Sequence, residues 1–259
     1  MTWVLGTNTP FGYAVGLSDI RVTVGNEAFD CLQKVYEISR FVVAGFAGSV
    51  EIGFAMVNAL QQWLGPIPAD EAVVPQDVAT RFPRLAQSIF ERFPPEVRAH
   101  RSHVILFCVD PLPDETREPR SEIYVFRDPD FIPEPIHAVE VVSIGCGTLE
   151  YEEALLDFNS NPFNHLQFAT AGPGGVARVL GSTAKKTVQE KPTVGVSPHL
   201  HACVVSSAGI VIRPNDEQWW QAGQLVEDFK MPWVAQSKEE IDQFLAGRGL
   251  SSAQAICSA

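Results

Sequence analysis

The hydrophobic pattern of this chain changes its period several times, and that change limits the possible folds more than any other feature of the sequence. Up to residue 49, apolar residues occur in short strand-like runs that are separated by glycine and proline turns. From Ile52 to Leu64 they recur every three or four residues, which predicts an amphipathic helix. Ser49 is its predicted N-cap, and Gly65-Pro66 is its predicted end.

The same alternation continues along the chain. A second helical stretch is predicted from Val78 to Phe93, with a break or kink at Pro83. Further strands are predicted at 103–109, 122–127, 139–144, 199–206 and 210–213, and further helices at 149–158 and 174–190. Strand regions separated by helix pairs predict an α+β protein, a four-layer αββα sandwich in which each of two antiparallel sheets carries an outer helical layer.

Length and composition indicate one large domain with an extension. The chain has 259 residues, of which 46% are hydrophobic, and this is ample material for a core. We predict that residues 1–214 form the domain and that residues 215–259 form a C-terminal extension packed on or beside it. In the extension, Ser237-Lys-Glu-Glu240 is a capping box, which predicts a short helix that ends at Gly247.

Charge and cysteine content exclude several classes of partner and site. The formal net charge of -12 repels phosphate backbones and anionic lipid headgroups, so we expect no nucleic-acid and no membrane partner. The sequence has neither a bilayer-length apolar run nor a signal peptide, which predicts a cytoplasmic protein. The five cysteines lack metal-site spacing, so we expect reduced thiols, with Cys108 and Cys203 in the core and no metal or cofactor.

The start of the chain carries the residue with the most distinctive chemistry. Met1 precedes a small residue, so we expect the initiator methionine to be removed and the mature chain to begin with Thr2. An N-terminal threonine combines a hydroxyl nucleophile with an α-amine that can act as its general base. The pKa of an α-amine lies near 8, so an appreciable fraction is neutral at physiological pH. Many chains begin Met-Thr, so the surrounding motifs decide the interpretation.

Four segments, the first of which is Thr2 itself, together support the interpretation of Thr2 as a nucleophile. A fifth segment fits the same pattern. The five segments are Thr2, Ser18-Asp-Ile-Arg-Val-Thr-Val-Gly25, Lys34-Val-Tyr-Glu-Ile38, Val43-Ala-Gly-Phe-Ala-Gly48 and the glycine-rich turn Ile144-Gly-Cys-Gly147. In their order and spacing, they resemble a proteasome β-type subunit of the N-terminal-nucleophile hydrolase superfamily, and the bacterial ring-forming relatives most of all. The resemblance covers most of the domain predicted at residues 1–214.

The resemblance implies a role for each residue. It implies that Thr2 is the nucleophile, that Asp19 and Lys34 are its charged neighbours, and that the Gly45 backbone N–H forms the oxyanion hole. A Lys34 ammonium would lower the pKa of the α-amine, and Asp19 would offset the desolvation of the lysine. The Gly45 N–H would stabilise the oxyanion formed when the threonine attacks an amide. Val43 and Ala47 would line an apolar pocket for a substrate side chain.

Two positions depart from the family pattern. Cys146 stands where the family usually has serine, and a thiol is a weaker hydrogen-bond donor for supporting the amine. Near residues 189–195 the family commonly has an aspartate and a serine, whereas this chain has Lys191 and Val194. The leading prediction is a threonine-type peptidase that forms homo-oligomeric rings and cleaves peptides or unfolded proteins, with an unknown ATPase partner. An inactive structural subunit and a non-peptidase amidase are the alternatives.

Overall fold

A computed structural model of the chain describes most of its residues. It covers 3–9, 11–67, 73–110, 119–137, 140–145, 153, 162–192, 195–214, 219–221, 224–226 and 231–257. At 162–171, 219–221, 224–226 and 257 only the backbone is described. Thr2, Cys146, Val194 and, apart from residue 153, the helix predicted at 149–158 lie outside these ranges.

Two antiparallel sheets form the body of the protein. The smaller, five-stranded sheet contains β1 (Trp3–Asn8), β2 (Ala14–Asp19), β10 (Val141–Gly145), β11 (Leu200–Ser206) and β12 (Gly209–Pro214), in the order β10-β1-β2-β11-β12. The larger, eight-stranded sheet contains β3 (Arg21–Val24), β4 (Glu27–Asp30), β5 (Val35–Ser39), β6 (Val42–Ser49), β7 (Ser102–Asp110), β8 (Arg120–Arg127), β9 (Pro133–Ile136) and β15 (Ala255–Cys257). Its order is β4-β3-β15-β6-β7-β8-β9, and β5 also pairs with β6. A separate ribbon joins β13 (Trp219–Gln221) and β14 (Gln224–Val226).

The described residues contain five helices in addition to the sheets. They are α1 (Val50–Leu64), α2 (Pro75–Glu91), α3 (Pro95–Arg98), α4 (Pro162–Glu190) and α5 (Lys238–Ala246), and α4 is interrupted by a kink at Gly172. The predicted N-caps of α1 and α5 are confirmed, because Ser49 Oγ accepts a hydrogen bond from the Ile52 N–H at 3.3 Å and Ser237 Oγ accepts one from the Glu240 N–H at 3.2 Å. Helix α2 continues through Pro83 instead of breaking there. Of the helices described, none combines the length and the apolar character needed to cross a membrane.

The apolar core has three parts, one between the sheets and one on each outer face. Side chains from both sheets meet in the inter-sheet core, which includes Val4, Val35, Ile105 and Phe107. The outer face of the larger sheet packs against α1 and α2, and the outer face of the smaller sheet packs against α4. Cys108 and Cys203 are fully buried, as predicted, and burial raises the pKa of the Cys203 thiol to about 12.

The predicted four-layer αββα sandwich is wrong. The described residues are mainly antiparallel β-structure, in sheets of five and eight strands, and helices are few. Only α4 covers the outer face of the smaller sheet among the described elements. The physical reason for the error is that a 3.6-residue period reports an apolar side on each helix and says nothing about whether helices pair into complete layers.

The C-terminal residues take part in the larger sheet. Strand β15 lies between β3 and β6 and pairs antiparallel with both. Upstream of it, Ala235 bridges to Leu32, and the Ala235 N–H donates to the Cys31 carbonyl at 2.7 Å. The domain boundary at residue 214 stays a prediction, but these contacts tie residues 235–257 to strands from the beginning of the chain.

Candidate active site

The first strand crosses the larger sheet and brings the start of the chain towards β5. Its successive contacts are Asn8 with Ser121 of β8, Gly6 with Phe107 of β7, and Val4 with Gly45 of β6. The next strand in this progression is β5, which pairs with β6 and begins directly after Lys34. Trp3, the first described residue, therefore approaches the part of the larger sheet that carries Lys34.

Asp19 and Lys34 form a buried ion pair that links the two sheets. Asp19 ends β2 of the smaller sheet, and Lys34 precedes β5 of the larger sheet. The Lys34 Nζ lies 2.7 Å from Asp19 Oδ1, and both side chains are 0% exposed. Removing two charges from water costs several kcal/mol per ion, so such a pair persists only where geometry and further hydrogen bonds compensate.

The Asp19 carboxylate has those further hydrogen bonds. Besides Lys34, its Oδ1 accepts the Trp3 backbone N–H at 2.7 Å. Its Oδ2 accepts the backbone N–H groups of Arg21 and Ser197, each at 3.1 Å. These four donors satisfy both oxygens. Because Trp3 follows Thr2 directly in the sequence, Asp19 is anchored to the peptide group that joins these two residues.

The Lys34 ammonium has donors to spare. An ammonium carries three N–H donors. Within the described ranges, Asp19 is the one hydrogen-bond partner of Lys34 Nζ. The remaining donors are buried beside the end of β2 and the first residues of β1, where a polar group would satisfy them.

Gly45 lies close to this pair, but its N–H points elsewhere. Strand β6 runs in unbroken register against β7, with Gly45 opposite Ile105. At the two ends of this register, Val109 N–H donates to the Phe41 carbonyl and Ser49 N–H donates to the Arg101 carbonyl. Hydrogen-bonded pairs alternate along an antiparallel ladder, so the odd-numbered residues of β6, Gly45 among them, direct their N–H groups towards β7. The Gly45 N–H is therefore part of the ladder.

The absence of a side chain at Gly45 lets the two sheets come close. A Cβ at this position would lie 3.0 Å from both Val4 Cγ1 and Ile105 Cγ2. The residues predicted to line a substrate pocket, Val43 and Ala47, are fully buried in the inter-sheet core. The small residues of this segment therefore serve close packing between the sheets.

Ser197 belongs to the site and was missed in the sequence. It is fully buried, its N–H donates to Asp19 Oδ2 at 3.1 Å, and its Oγ accepts the His199 N–H at 3.1 Å. Lys191 and Val194, the positions at which the family resemblance implies polar partners, lie a few residues earlier. A polar Ser-Pro pair immediately before the apolar run of β11 was the available signal.

Arg21 and Asp30 form a second ion pair next to Asp19. The Arg21 Nε lies 2.7 Å from Asp30 Oδ1 and the Nη2 lies 3.1 Å from Oδ2, so the contact is bidentate. Burial by itself raises the pKa of the Asp30 carboxyl, but the hydrogen bonds and charge of Arg21, with help from Ser197, outweigh it and hold this pKa below its ordinary value. The Arg21–Asp30 pair joins β3 to β4 in the hairpin that directly follows Asp19.

We expect Asp30→Asn to lower the free energy of unfolding by about 1–3 kcal/mol at pH 7, because it removes the charge-assisted bonds to Arg21. A carboxyl with a depressed pKa adds stability above its unfolded pKa of about 4, and this contribution is lost as the pH falls through the folded pKa. The difference between variant and wild type should therefore shrink towards pH 3. Urea unfolding at pH 7 and pH 3 measures it.

Glu134→Gln is the matched control for this prediction. Glu134 pairs with Arg127 at 3.3 Å, and both side chains are substantially exposed. Exposed pairs contribute about 0–1 kcal/mol, so this variant should differ little from wild type at either pH. Equal losses in the two variants would show that the Arg21–Asp30 pair has no special role.

The predicted site residues thus have different outcomes. The structure brings Asp19 and Lys34 into contact, and their catalytic roles stay predictions. Thr2 and Cys146 lie outside the described residues, but their sequence neighbours Trp3 and Gly145 are paired in the β1–β10 ladder. In comparisons with known proteins, no family model matches the chain and no curated protein matches it. The geometry around Asp19 is therefore the basis for a functional assignment.

Proposed function

We propose that this protein is an N-terminal threonine amide hydrolase that cleaves peptide bonds through an acyl-enzyme. The observation that carries the proposal is the buried Asp19–Lys34 pair, which is hydrogen-bonded to the backbone of Trp3. The residue before Trp3 is Thr2, whose hydroxyl and liberated α-amine would supply the nucleophile and its base. A buried charged pair is thereby tied to the residue with the most reactive chemistry in the sequence.

Covalent geometry limits how far the α-amine can lie from this pair. Three bonds separate the Thr2 amine nitrogen from the Trp3 nitrogen, so the two atoms are within about 4 Å of each other. The Trp3 nitrogen is 2.7 Å from Asp19 Oδ1, to which Lys34 Nζ also binds. Covalent geometry therefore keeps the amine within about 7 Å of Asp19 Oδ1, close enough for the charge of Lys34 to act on it.

The reaction divides amide hydrolysis into two steps. The α-amine takes the hydroxyl proton of Thr2 while the oxygen attacks the substrate carbonyl carbon, giving a tetrahedral oxyanion. The C–N bond then breaks, the leaving amine takes the proton, and an ester remains on Thr2. A water molecule, activated by the same amine, attacks the ester and releases the acid and the free threonine.

Lys34 has an electrostatic role in this scheme. A positive charge beside the α-amine disfavours its protonated form, so the pKa of the amine falls and more of it is available as a base. The spare ammonium donors would also stabilise the Thr2 oxygen as it loses its proton. Gly45 is left out of the proposed catalytic set because its N–H is used in the β6–β7 ladder.

Retention of a buried ion pair supports a use beyond stability. Apolar residues of similar volume are often as stabilising as a buried pair, or more so by about 1–4 kcal/mol. Asp19 and Lys34 are both fully buried, so they carry the full desolvation penalty. Tuning an amine at the chain start gives these charges a function that an apolar pair could not perform.

Labelling with a peptide epoxyketone tests the nucleophile. The ketone carbon of this probe bonds to a hydroxyl oxygen and its epoxide carbon to an amine nitrogen, so it reports both groups of Thr2 at once. We expect wild type to lose Met1 and gain one probe mass at Thr2, Thr2→Ser to be labelled, and Thr2→Ala to remain unlabelled. Intact-mass and peptide mass spectrometry measure this.

Three results would contradict the proposal. Retention of Met1 in purified protein would block the amine and support the inactive structural subunit. Equal labelling of Thr2→Ala and wild type would place the reactive group elsewhere. Cleavage of small amides without cleavage of unfolded polypeptides would support the amidase in place of the peptidase.

The cellular location and the oligomeric assembly follow from the same proposed activity. We propose a cytosolic protein that assembles into homo-oligomeric rings, so that the threonines face an enclosed chamber and act on peptides or unfolded proteins. The net charge of -12 supports this choice of substrate over nucleic acid. Size-exclusion chromatography with light scattering measures the mass of the assembly, and a monomer at micromolar concentration would contradict the ring.

A further inference from the structure

A pocket lies at the end of β1 that is remote from the Asp19–Lys34 pair. It has a volume of about 300 Å³ and is lined by residues of the β1–β2 turn, α2, β8 and β9. This volume is at the lower end of the range that small ligands occupy. Asn8, which lines the pocket, is five residues along β1 from Trp3, a separation of roughly 17 Å. The pocket is therefore distinct from the candidate active site.

The walls of this pocket are held in place by contacts between the elements that form them. Strand β9 ends at Ile136, and the first residues of β8 continue beyond it. Asn8 joins both strands, because its side chain accepts a hydrogen bond from the Ser121 hydroxyl and donates one to the Ile136 carbonyl at 3.2 Å. A Cβ at Gly12 would lie 2.2 Å from the Pro119 carbonyl oxygen, so the β1–β2 turn packs directly against the residue before β8. The pocket is thus largely formed in the free protein.

Glu122 places a carboxylate in this pocket, and its side chain is 12% exposed. Its Oε1 accepts a hydrogen bond from the Gln76 side-chain amide, and its Oε2 accepts one from the Tyr124 hydroxyl. Burial, followed by the bond to Glu122, raises the pKa of the Tyr124 hydroxyl, so this group remains a donor. Both of these donors are neutral. They hold the carboxylate in position but do not balance its charge.

Arg120 is the cation that pairs with this carboxylate, and the pair is weak. The Arg120 Nε lies 3.3 Å from Glu122 Oε1, and the Arg120 side chain is 76% exposed. An ion pair with so exposed a partner contributes little, because water competes for the guanidinium and the long side chain loses freedom when it is held. A guanidinium from another molecule could therefore replace Arg120 on Glu122 at small cost.

The groups in the pocket favour a planar organic cation. An anion would meet the Glu122 carboxylate on a protein whose net charge is already -12. The Gln76 amide donates its nitrogen to Glu122, which leaves its oxygen as a second acceptor beside the carboxylate. Two adjacent acceptors suit the flat N–H fork of a guanidinium better than the compact charge of an ammonium. Arg120 already demonstrates the contact that such a ligand would make.

We propose that this pocket binds a small guanidinium compound, which takes the place of Arg120 on the Glu122 carboxylate. The guanidinium donates to Glu122 and to the Gln76 oxygen. An apolar tail would lie near Pro135 and Ile136, which line the same pocket. Arg120 moves fully into the solvent, where most of its side chain already lies. The inference does not depend on the threonine chemistry, so it and the proposed function can fail separately.

Titration of the full chain with n-butylguanidinium at pH 7, measured by isothermal titration calorimetry, tests the pocket. We expect saturable binding of one equivalent with a dissociation constant of roughly 1 mM. Glu122→Gln keeps the shape and removes the charge, so it should weaken binding at least about 10-fold. Arg120→Gln removes the internal competitor, so it should strengthen binding about 2–5-fold. Pentanamide, which has a similar chain and a neutral planar head, should bind at least about 10-fold more weakly than n-butylguanidinium.

Glu134→Gln is the matched control. Glu134 pairs with Arg127 at the same 3.3 Å, and neither residue lines the pocket, so this variant should bind n-butylguanidinium as wild type does. Opposite effects of Glu122→Gln and Arg120→Gln would demonstrate displacement, because a loosened fold would weaken binding in both. Urea midpoints check the fold of each variant.

Three results would refute the inference. They are equal binding by Glu122→Gln and wild type, weaker binding by Arg120→Gln than by wild type, and no binding by either wild type or Arg120→Gln at about 10 mM ligand. Equal binding of pentanamide and n-butylguanidinium would also refute it, because the pocket would then select shape and not charge.

Discussion

Replacing Lys34 with methionine is expected to reduce labelling of Thr2 at least about 100-fold and to lower the free energy of unfolding by about 3–5 kcal/mol. The stability loss follows because the Asp19 carboxylate stays buried without its counter-charge. The labelling loss follows because no ammonium is left to depress the pKa of the α-amine. Urea unfolding and mass-spectrometric labelling rates, both at pH 7 and well below the unfolding temperature, measure these effects.

The double variant Lys34→Met/Asp19→Asn separates the two effects. With both charges removed, part of the stability should return, although a side-chain amide cannot accept all four hydrogen bonds that Asp19 accepts. Labelling should stay as low as in the single variant. If labelling instead recovers in proportion to stability, the ion pair is structural and the catalytic role of Lys34 is wrong.

Gly16→Ala is expected to destabilise the protein by about 2–3 kcal/mol, through overpacking between the two sheets. A Cβ at Gly16 would lie 2.5 Å from Phe107 Cζ and 2.7 Å from Cys203 Sγ. The Phe107 ring cannot withdraw, because it already packs against Gly6 on the neighbouring strand. In a strand, alanine is otherwise at least as stabilising as glycine. The expected loss in the free energy of unfolding therefore measures the clash of the added Cβ with Phe107 and Cys203. Urea unfolding measures it.

Gly174→Ala provides the control for this substitution. Gly174 lies in α4, and the nearest atom to an added Cβ is Arg213 Nη2 at 3.9 Å. Gly174 stands in the first turn after the helix is interrupted at Gly172, and alanine restricts the unfolded chain more than glycine does, so this variant should be unchanged or slightly more stable. Combining Gly16→Ala with Phe107→Leu should recover part of the loss. An undiminished loss in the combination would mean that the ring is not the obstacle.

Local signals in the sequence predicted the elements best. A serine before an apolar period defined the starts of α1 and α5, because an N-cap depends on a few consecutive residues. The proximity of Asp19 and Lys34 was implied by the family resemblance, which places both residues beside the start of the chain. The N-caps alone depend on short stretches whose chemistry is readable without knowledge of what packs against them.

Features that depend on distant residues were not predictable in the same way. Neither the direction of the Gly45 N–H nor the approach of Ser197 to Asp19 is encoded locally, because each follows from strand pairing across many residues. Strand β15 has only three residues, too few for an alternating pattern to show. The false prediction of complete helical layers has the same origin, since helix periodicity does not specify the neighbour.

The position of β15 between β3 and β6 determines when the larger sheet can be completed during synthesis. Strands β3 and β6 both precede β15 by a long stretch of chain, so they leave the ribosome well before the strand that joins them. Until then each presents an open edge that could recruit a foreign strand. The larger sheet is joined between β3 and β6 only after β15 has emerged, so a nascent chain that still lacks β15 cannot complete this sheet.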